Sequence, residues 1–175
     1  MQLGHPGRII ITAARLRRRV KEMAADISRD YAGKDLVVVA VLKGSVIFLA
    51  DLVRHLKVDF ALDFLAVSSY SGKSSTGSVK ILMDLRTDAA GKNILLVEDI
   101  VDSGRTLNLL VKKLKATNPV SIKTCVLLDK PSARSVKVTA DYTGFKIKDD
   151  FVVGYGLDYN EKYRGLPHIG IIKLK

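Results

Sequence analysis

The sequence ILLVEDIVDSGRT, residues Ile94–Thr106, decides the fold class of this chain. It opens with an apolar, β-rich run that predicts a buried strand, and two adjacent carboxylates, Glu98 and Asp99, stand where that run ends. A short loop of small and polar residues follows and leads into a segment with helical spacing, Leu107–Leu114. A strand, a loop and a helix in this order form the repeating unit of α/β domains that contain a parallel sheet.

The loop after the acidic pair has the composition of an anion-binding site. Gly104 permits a tight turn, Ser103 and Thr106 offer hydroxyl groups, and the N–H groups that begin a helix attract negative charge. A bare phosphate would be repelled by Glu98 and Asp99, but carboxylates accept hydrogen bonds from vicinal diols and coordinate Mg²⁺. A sugar phosphate accompanied by a divalent ion therefore satisfies every group in the stretch, whereas an ordinary capped helix start explains only the loop.

The flanking segments continue the alternation of strands and helices. We predict helices over Thr12–Tyr31 (with Thr12 as its N-cap), Ser45–Leu56 (with Ser45 as its cap) and Thr106–Ala116, and strands over Leu36–Leu42, Phe60–Val67, Val79–Asp84, Asn93–Glu98 and Ile122–Asp129. This order predicts a doubly wound α/β fold, in which a mostly parallel central sheet is flanked by helices. Ligands of such folds bind beyond the carboxyl ends of the strands.

The residues after about position 150 form a different kind of segment. Two short apolar pieces, Phe151–Val153 and Ile169–Leu174, are too short for another strand–helix–strand unit. They predict a small hood over the site that pairs with the N-terminal segment. We therefore expect a single domain over residues 1–175, with its core at about 9–150 and its hood at about 151–175.

Composition narrows the class of protein. The chain is 47% hydrophobic and 27% charged, as is usual for a globular protein, and its net charge of +11 suits nucleic acid, an anionic surface or an anionic small substrate. The single cysteine, Cys125, has no partner for an intrachain disulfide and is expected in the core. The longest apolar run, Leu36–Leu42, is too short to cross a bilayer, so we expect a cytoplasmic protein. The histidines lack metal-ligand spacing, and no Walker or dinucleotide motif is present.

The stretch Ile94–Thr106 resembles the 5-phosphoribosyl-1-pyrophosphate (PRPP) motif of the phosphoribosyltransferases. The resemblance implies that the loop residues bind the 5′-phosphate and ribose of PRPP; these are Asp102, Ser103, Gly104, Arg105 and Thr106. It also implies that Glu98 and Asp99 hold the ribose diol and a Mg²⁺ ion. Asp102 would additionally act as the general base that takes a proton from the attacking purine nitrogen.

The segment FVVGYGLDYNEKYR, residues Phe151–Arg164, resembles the C-terminal purine and metal segment of the hypoxanthine-guanine branch of that family. The resemblance implies that Phe151 stacks on the purine and that the backbone of Val152 reads its edge. Asp158 would contact the purine side of the site and help to hold Mg²⁺ through water. Arg164 would grip pyrophosphate as a fork of donors.

Lys130, in the sequence DKPSAR, bears on the choice of base. Its ammonium group carries donors only, so it suits the 6-oxo group of hypoxanthine or guanine and would oppose the 6-amino group of adenine. The resemblance of DKPSAR to the 6-oxopurine enzymes places Lys130 in the purine site. The ranking of hypoxanthine, guanine and xanthine stays open.

Two further segments are assigned to pyrophosphate through the resemblance. Lys43 and Gly44 end the first buried strand and would form a pyrophosphate loop whose backbone N–H groups contact the leaving group. The small, polar segment Ser68–Ser78 predicts a disordered loop that acts as a lid and excludes water. Ser69 and Tyr70 would lie at the active tip of this lid.

These features together predict a purine salvage enzyme that transfers the phosphoribosyl group of PRPP to a 6-oxopurine with Mg²⁺ and releases pyrophosphate. The alternative is a PRPP-sensing regulator that binds nucleic acid on the same fold. A regulator has no need of a purine and metal site, and the basic segment Arg15–Lys21 lacks the aromatic residues that stack on bases. We therefore expect no nucleic-acid partner and no membrane association. The resemblance implies a homodimer or homotetramer.

Overall fold

The computed structural model describes residues 7–69 and 79–172 of the chain. Its strands are β1 (Ile9–Ile11), β2 (Leu36–Leu42), β3 (Ala61–Ser69), β4 (Val79–Met83), β5 (Asn93–Val101), β6 (Ser121–Asp129), β7 (Tyr142–Lys146), β8 (Val152–Val153) and β9 (Ile169–Ile171). Its helices are α1 (Ala13–Asp30), α2 (Val46–Val53) and α3 (Arg105–Lys115), and a 3₁₀ turn spans Pro131–Ala133.

The central sheet has six strands in the order β4-β3-β2-β5-β6-β7. All neighbouring pairs are parallel except β3 with β4, which is antiparallel. The chain builds the sheet outward from β2 in one direction and from β5 in the other, so the order reverses between these two strands. The predicted doubly wound, mostly parallel fold is confirmed, and the reversal point is where such folds bind ligands.

The sheet separates two apolar cores. Alternate residues of β2, such as Val38 and Ala40, face the core that contains α1 and α2, while Val37 and Val39 face the core beneath α3. In α1 the residues at helical spacing are fully buried; these are Leu16, Val20, Met23 and Ile27. Cys125 is free and buried in the first core, as predicted.

A second, three-stranded sheet in the order β1-β9-β8 forms the hood, and all of its pairs are antiparallel. The expected pairing of the C-terminal pieces with the N-terminal segment is thus confirmed. The hood meets the core closely at Gly156, where an added Cβ atom would lie 2.0 Å from the carbonyl oxygen of Gly44. The backbone φ of Gly156 is +104°, a conformation that favours glycine.

A buried carboxylate holds the connection between β4 and β5. Asp63 on β3 is 8% exposed and accepts backbone hydrogen bonds from Phe64 at 2.8 Å, Arg86 at 2.8 Å and Thr87 at 2.7 Å. Burial works against its charge, but the backbone donors outweigh that effect and hold the pKa of Asp63 below its usual value.

Several predicted boundaries differ from the structure. Thr12 caps α1 as expected, and Ser45 is the N-cap residue of α2 as predicted, but its side chain makes no capping hydrogen bond because its hydroxyl donates to the carbonyl oxygen of Val41 at 2.6 Å. Helix α2 ends at Val53 rather than at the predicted Leu56. Strand β5 continues past the acidic pair to Val101, since its pairing with β6 continues there. Strand β7 was not predicted.

Candidate active site

A cleft of about 370 Å³ opens at the carboxyl ends of β2 and β5, where the strand order reverses. It is lined by residues from both strands, the loop before α3 and the hood: Val41, Leu42, Lys43, Gly44, Val67, Glu98, Asp99, Ile100, Val101, Asp102, Ser103, Gly104, Thr106, Leu107, Asp158 and Arg164. The structure therefore brings together most of the residues that the sequence assigned to phosphate, ribose, metal and pyrophosphate. Arg105, Lys130, Phe151 and Val152 are not part of this lining.

The acidic pair forms the floor of the cleft. Glu98 is 6% exposed, and among the described residues its Oε2 atom has no hydrogen-bond partner. Burial and the charge of Asp99 raise the pKa of Glu98 to about 8. Burial also raises the pKa of Asp99 to about 6, although its Oδ1 atom accepts a hydrogen bond from the N–H group of Ile100 at 2.9 Å. A cation bound beside them would therefore stabilise the charged form of both carboxyl groups.

Gly44 brings the end of β2 against this pair. An added Cβ atom at Gly44 would lie 1.7 Å from the Oδ2 atom of Asp99, so only glycine fits beside that carboxylate. The peptide bond between Leu42 and Lys43 is cis. The exposed side chain of Lys43 pairs with Glu161 at 3.2 Å.

The loop that leads into α3 has the form of an anion site. Gly104 is the N-cap of the helix with φ +83°, and an added Cβ atom there would lie 2.6 Å from a methyl group of Val138. The Oγ atom of Ser103 accepts a hydrogen bond from the N–H group of Arg105 at 3.4 Å. The Arg105 side chain donates to Ser135 at 3.3 Å instead of lining the cleft. Donors at the start of a helix, in a turn that needs glycine, suit a phosphate.

Lys130 lies between two carboxylates next to the cleft. The residue is 6% exposed, and its Nζ atom is 3.6 Å from Oδ2 of Asp102 and 3.3 Å from Oδ1 of Asp149. Asp102 and Asp149 are both more than half exposed. A buried ammonium group beside a solvent-accessible carboxylate provides a donor and a proton acceptor at one point.

Phe151 and Val152 occupy the base of the hood. Phe151 is 44% exposed and contacts Tyr159 edge to face, with ring centroids 5.6 Å apart and an interplanar angle of 86°. An exposed aromatic ring is available to a planar ligand. Val152 is buried in β8 and pairs with Ile171 of β9.

Arg164 is held by three acceptors. Its guanidinium group donates to the carbonyl oxygen of Gly156 at 2.8 Å and contacts Asp158 at 2.9 Å and Glu161 at 3.2 Å. Hydrogen bonds from Lys43 and Arg164 hold the pKa of Glu161 below its usual value. The two cations assigned to pyrophosphate are therefore paired through one exposed carboxylate.

The lid prediction is only partly covered by the structure. Ser68 and Ser69, which were predicted to begin the disordered loop, belong to β3 instead, and Ser69 pairs with Val79 of β4. Tyr70 and the rest of the predicted lid, residues 70–78, lie outside the described residues.

Comparison with known proteins identifies the family of this chain. Residues 10–160 match the phosphoribosyl transferase domain. The chain belongs to the phosphoribosyltransferase family. It is 45% identical over 174 residues to hypoxanthine phosphoribosyltransferase of Buchnera aphidicola, covering 98% of each chain, and 46% identical over 173 residues to that of Escherichia coli, covering 97% of each.

Solved structures of other phosphoribosyltransferases share the fold. A hypoxanthine-guanine phosphoribosyltransferase of Bacillus anthracis, with a HEPES molecule in its active site, superposes with a TM-score of 0.92 at 47% identity and covers 97% of this chain and 100% of its own. A hypoxanthine phosphoribosyltransferase of Staphylococcus aureus gives a TM-score of 0.91 at 42% identity and covers 95% and 91%. No helix in the described parts of this phosphoribosyltransferase is long and apolar enough to span a membrane.

The donor set of this phosphoribosyltransferase fits Mg²⁺ bound jointly with a substrate. Residues 7–69 and 79–172 contain no cluster of three or more acidic, histidine or cysteine side chains that would hold a metal alone. Mg²⁺ usually keeps several waters and takes one or two carboxylates together with substrate oxygens. The unpaired Oε2 atom of Glu98, beside Asp99, offers such a partial set.

Sequence reasoning missed two acidic residues of the site. Asp149 pairs with Lys130, and Glu161 joins Lys43 to Arg164. Glu161 lies inside the segment that carried the resemblance, and Asp149 lies two residues before it. The available signal was an acidic residue near assigned cations, which is too common on protein surfaces to single out a site.

Proposed function

We propose that this phosphoribosyltransferase transfers the 5-phosphoribosyl group of PRPP to the N9 atom of hypoxanthine or guanine, releases pyrophosphate and serves purine salvage. The observation that carries the proposal is the buried Lys130, 3.6 Å from Asp102 and next to the anion loop. A 6-oxopurine presents an oxygen to the ammonium group and a ring N–H group to the carboxylate. The names of the relatives support the same substrates.

PRPP occupies the cleft with its 5′-phosphate at the start of α3 in this proposal. The N–H groups of the loop and the hydroxyl groups of Ser103 and Thr106 bind the phosphate, while Gly104 allows the turn. Arg105, which contacts Ser135, contributes positive charge from outside the lining. Glu98 and Asp99 accept hydrogen bonds from the ribose hydroxyls.

Mg²⁺ belongs with the acidic pair and Asp158. Glu98 and Asp99 would hold it, and Asp158, which contacts Arg164 at 2.9 Å, would help to hold it through water. The ion would supply positive charge to offset the charge of pyrophosphate.

Transfer breaks the bond from the anomeric carbon of ribose to pyrophosphate and forms a bond from that carbon to the purine N9 atom. Asp102 accepts the proton that the purine loses, and its exposure leaves room for the base beside it. Lys130 donates to the 6-oxo group, Phe151 stacks on the ring, and the backbone of Val152 reads the opposite edge. Lys43, Gly44 and Arg164 bind pyrophosphate, with Ser69 and Tyr70 closing over it.

Three further properties belong to the proposal. Residues 1–175 act as one phosphoribosyltransferase domain, because the hood carries Asp158 and Arg164 to the cleft of the core. The protein works in the cytoplasm, as a homodimer or homotetramer. Its partners are PRPP, the purine base and pyrophosphate.

The test is a spectrophotometric assay of the purified protein with PRPP and Mg²⁺, with hypoxanthine, guanine, xanthine and adenine presented separately. We expect nucleotide from hypoxanthine or guanine and none from adenine. Activity with adenine would contradict the role of Lys130. Inactivity with all of the bases, while PRPP still binds, would overturn the proposed transferase function and favour a PRPP-sensing regulator. Nucleic-acid binding assays would then test the regulator.

A further inference from the structure

Arg134 lies against the phosphate loop but is not itself one of the residues that line the cleft. Its side chain is 16% exposed, and its Nη1 atom donates to the carbonyl oxygen of Val101 at 2.8 Å and to that of Asp102. Its Nη2 atom pairs with the carboxylate of Asp129, which is 13% exposed. One guanidinium group therefore joins the end of β6 to the point where β5 becomes the phosphate loop.

The next carbonyl of the loop is held from the same side. The carbonyl oxygen of Ser103 accepts hydrogen bonds from the N–H groups of Ser135 at 3.0 Å and Val136 at 3.1 Å. Three consecutive carbonyl groups, those of Val101, Asp102 and Ser103, thus bind the segment that begins at Arg134.

Holding these carbonyls fixes the N–H groups of the same peptides. In a planar trans peptide the C=O and N–H bonds point in opposite directions. The N–H groups of Asp102, Ser103 and Gly104 are therefore turned away from Arg134, toward the side on which these residues line the cleft. Within the part of the chain that the structure describes, none of these three N–H groups donates a hydrogen bond.

We infer that Arg134 is a positioning residue that orients the peptides of the phosphate loop before the ligand arrives. The guanidinium group holds the first two carbonyls back, so the N–H groups converge on the 5′-phosphate of PRPP. Donors that are already aligned need no reorganisation when the anion binds. The inference rests on the proposed function only in naming PRPP as the source of the phosphate.

The side-chain chemistry explains why arginine stands at this position. The two carbonyls and the carboxylate of Asp129 need donors in different directions from one group, which the planar guanidinium fork provides. A lysine retains the positive charge that Asp129 needs but presents a single nitrogen atom. Arg134→Lys therefore separates charge from geometry.

The experiment measures the binding of ribose 5-phosphate by calorimetry, without purine and without transfer. We expect Arg134→Lys to weaken this binding at least about tenfold, which corresponds to one weakened charge-assisted hydrogen bond. The KM for PRPP rises by a similar factor, whereas the KM for hypoxanthine changes less than about threefold, since Arg134 does not reach the purine. Unchanged ribose 5-phosphate binding in a folded Arg134→Lys variant would overturn the inference.

Arg19 provides a matched control. Its guanidinium group also donates to two consecutive carbonyls, those of Thr143 at 2.8 Å and Gly144 at 3.1 Å, and pairs with Glu22. These contacts lie on β7, away from the cleft. Arg19→Lys should lower the melting temperature without changing the affinity for ribose 5-phosphate. If Arg19→Lys and Arg134→Lys lose this affinity equally, Arg134 has only a structural role.

A measurement on the wild-type protein covers the case in which Arg134→Lys does not fold. Residual dipolar couplings of the amides of Asp102, Ser103 and Gly104 report the direction of each N–H bond. We expect the same directions with and without ribose 5-phosphate, and reorientation on binding would overturn the inference. Failure of nucleotide synthesis with intact ribose 5-phosphate binding would overturn the proposed function instead and leave this inference standing.

Discussion

At the scale of single residues, the close contact between Gly44 and Asp99 makes a sharp prediction. Because a Cβ atom would lie 1.7 Å from the Asp99 carboxylate, Gly44→Ala must displace a group that we assign to ribose and metal. We expect kcat/KM for PRPP to fall at least about tenfold, the equivalent of one lost hydrogen bond to a charged group. Steady-state kinetics with varied PRPP measures the change.

Gly165 supplies the control for this substitution, because nothing in the described structure lies within 4 Å of a Cβ atom added there. Gly165→Ala should retain wild-type kinetics. Full activity of Gly44→Ala would show that displacing the Asp99 carboxylate does not affect catalysis, which would contradict its assignment to ribose and metal.

Lys130 makes a second prediction at this scale. Lys130→Met keeps the length of the buried stem but removes the donor that we assign to the 6-oxo group. We expect kcat/KM for hypoxanthine to fall by about 10- to 100-fold, since hydrogen bonds to charged groups contribute about 1.5–3 kcal/mol. Lys148, which is exposed, provides the control as Lys148→Met. An unchanged preference for hypoxanthine over adenine in Lys130→Met would contradict the assignment.

The site shows which residue-level features a sequence can predict. The donor-only chemistry of Lys130 and the need for glycine at Gly104 follow from the residue types alone. The partner of Lys130, Asp149, does not, because the contact depends on how β6 and the hood segment come together in space. Arg134 stood in the quoted motif DKPSAR, yet nothing in its spacing indicated that it binds the carbonyl groups of another strand.

At the scale of elements, helices and strands with a regular apolar spacing could be predicted from the sequence. Features that depend on contact with a strand distant in the sequence could not. Helix α1 followed from its apolar spacing, and β2 from its continuous apolar run. Strand β7 was missed because it is only five residues long and Gly144 interrupts it, although Tyr142, Thr143 and Phe145 favour strands. The structure explains the glycine, since an added Cβ atom would lie 2.5 Å from the carbonyl oxygen of Leu127 on the neighbouring strand.

The loop between β4 and β5 yields a prediction about stability and pH. Asp63→Asn leaves fewer acceptors for the three backbone N–H groups that the carboxylate binds, and we expect a loss of about 1.5–3 kcal/mol in the free energy of unfolding at pH 6. The folded pKa of Asp63 is lowered, so its contribution is fully present above its unfolded pKa, about 3.9, and is lost as the pH falls through the folded pKa.

Urea unfolding of the wild-type and Asp63→Asn proteins across this pH range measures the effect. The difference between the two should be constant above about pH 5 and shrink below about pH 4. Asp88→Asn is the control, because Asp88 is exposed and accepts one hydrogen bond, from Ala90 at 3.0 Å. A difference between wild type and Asp63→Asn that does not change with pH would contradict the role of the charge.

At the scale of the whole molecule, the net charge of +11 predicts different responses of the two substrates to salt. PRPP is a polyanion that the positive field attracts, while hypoxanthine is neutral. We expect the KM for PRPP to rise as NaCl increases from about 10 mM to 300 mM, where the Debye length falls from about 30 Å to below 8 Å, and the KM for hypoxanthine to stay constant. Parallel shifts of both constants would indicate a general effect of salt on the fold.

The contact between Gly156 and Gly44 has a consequence for the order in which the protein matures. During synthesis the strands of the central sheet leave the ribosome before residues 152–171, which contain the hood strands β8 and β9 and carry Asp158 and Arg164. A nascent chain can complete its central sheet while its cleft still lacks one wall. Catalytic activity should therefore begin only when this last segment docks. In a series of nascent chains arrested at increasing lengths, we expect activity to appear abruptly once residues 152–171 have left the ribosome.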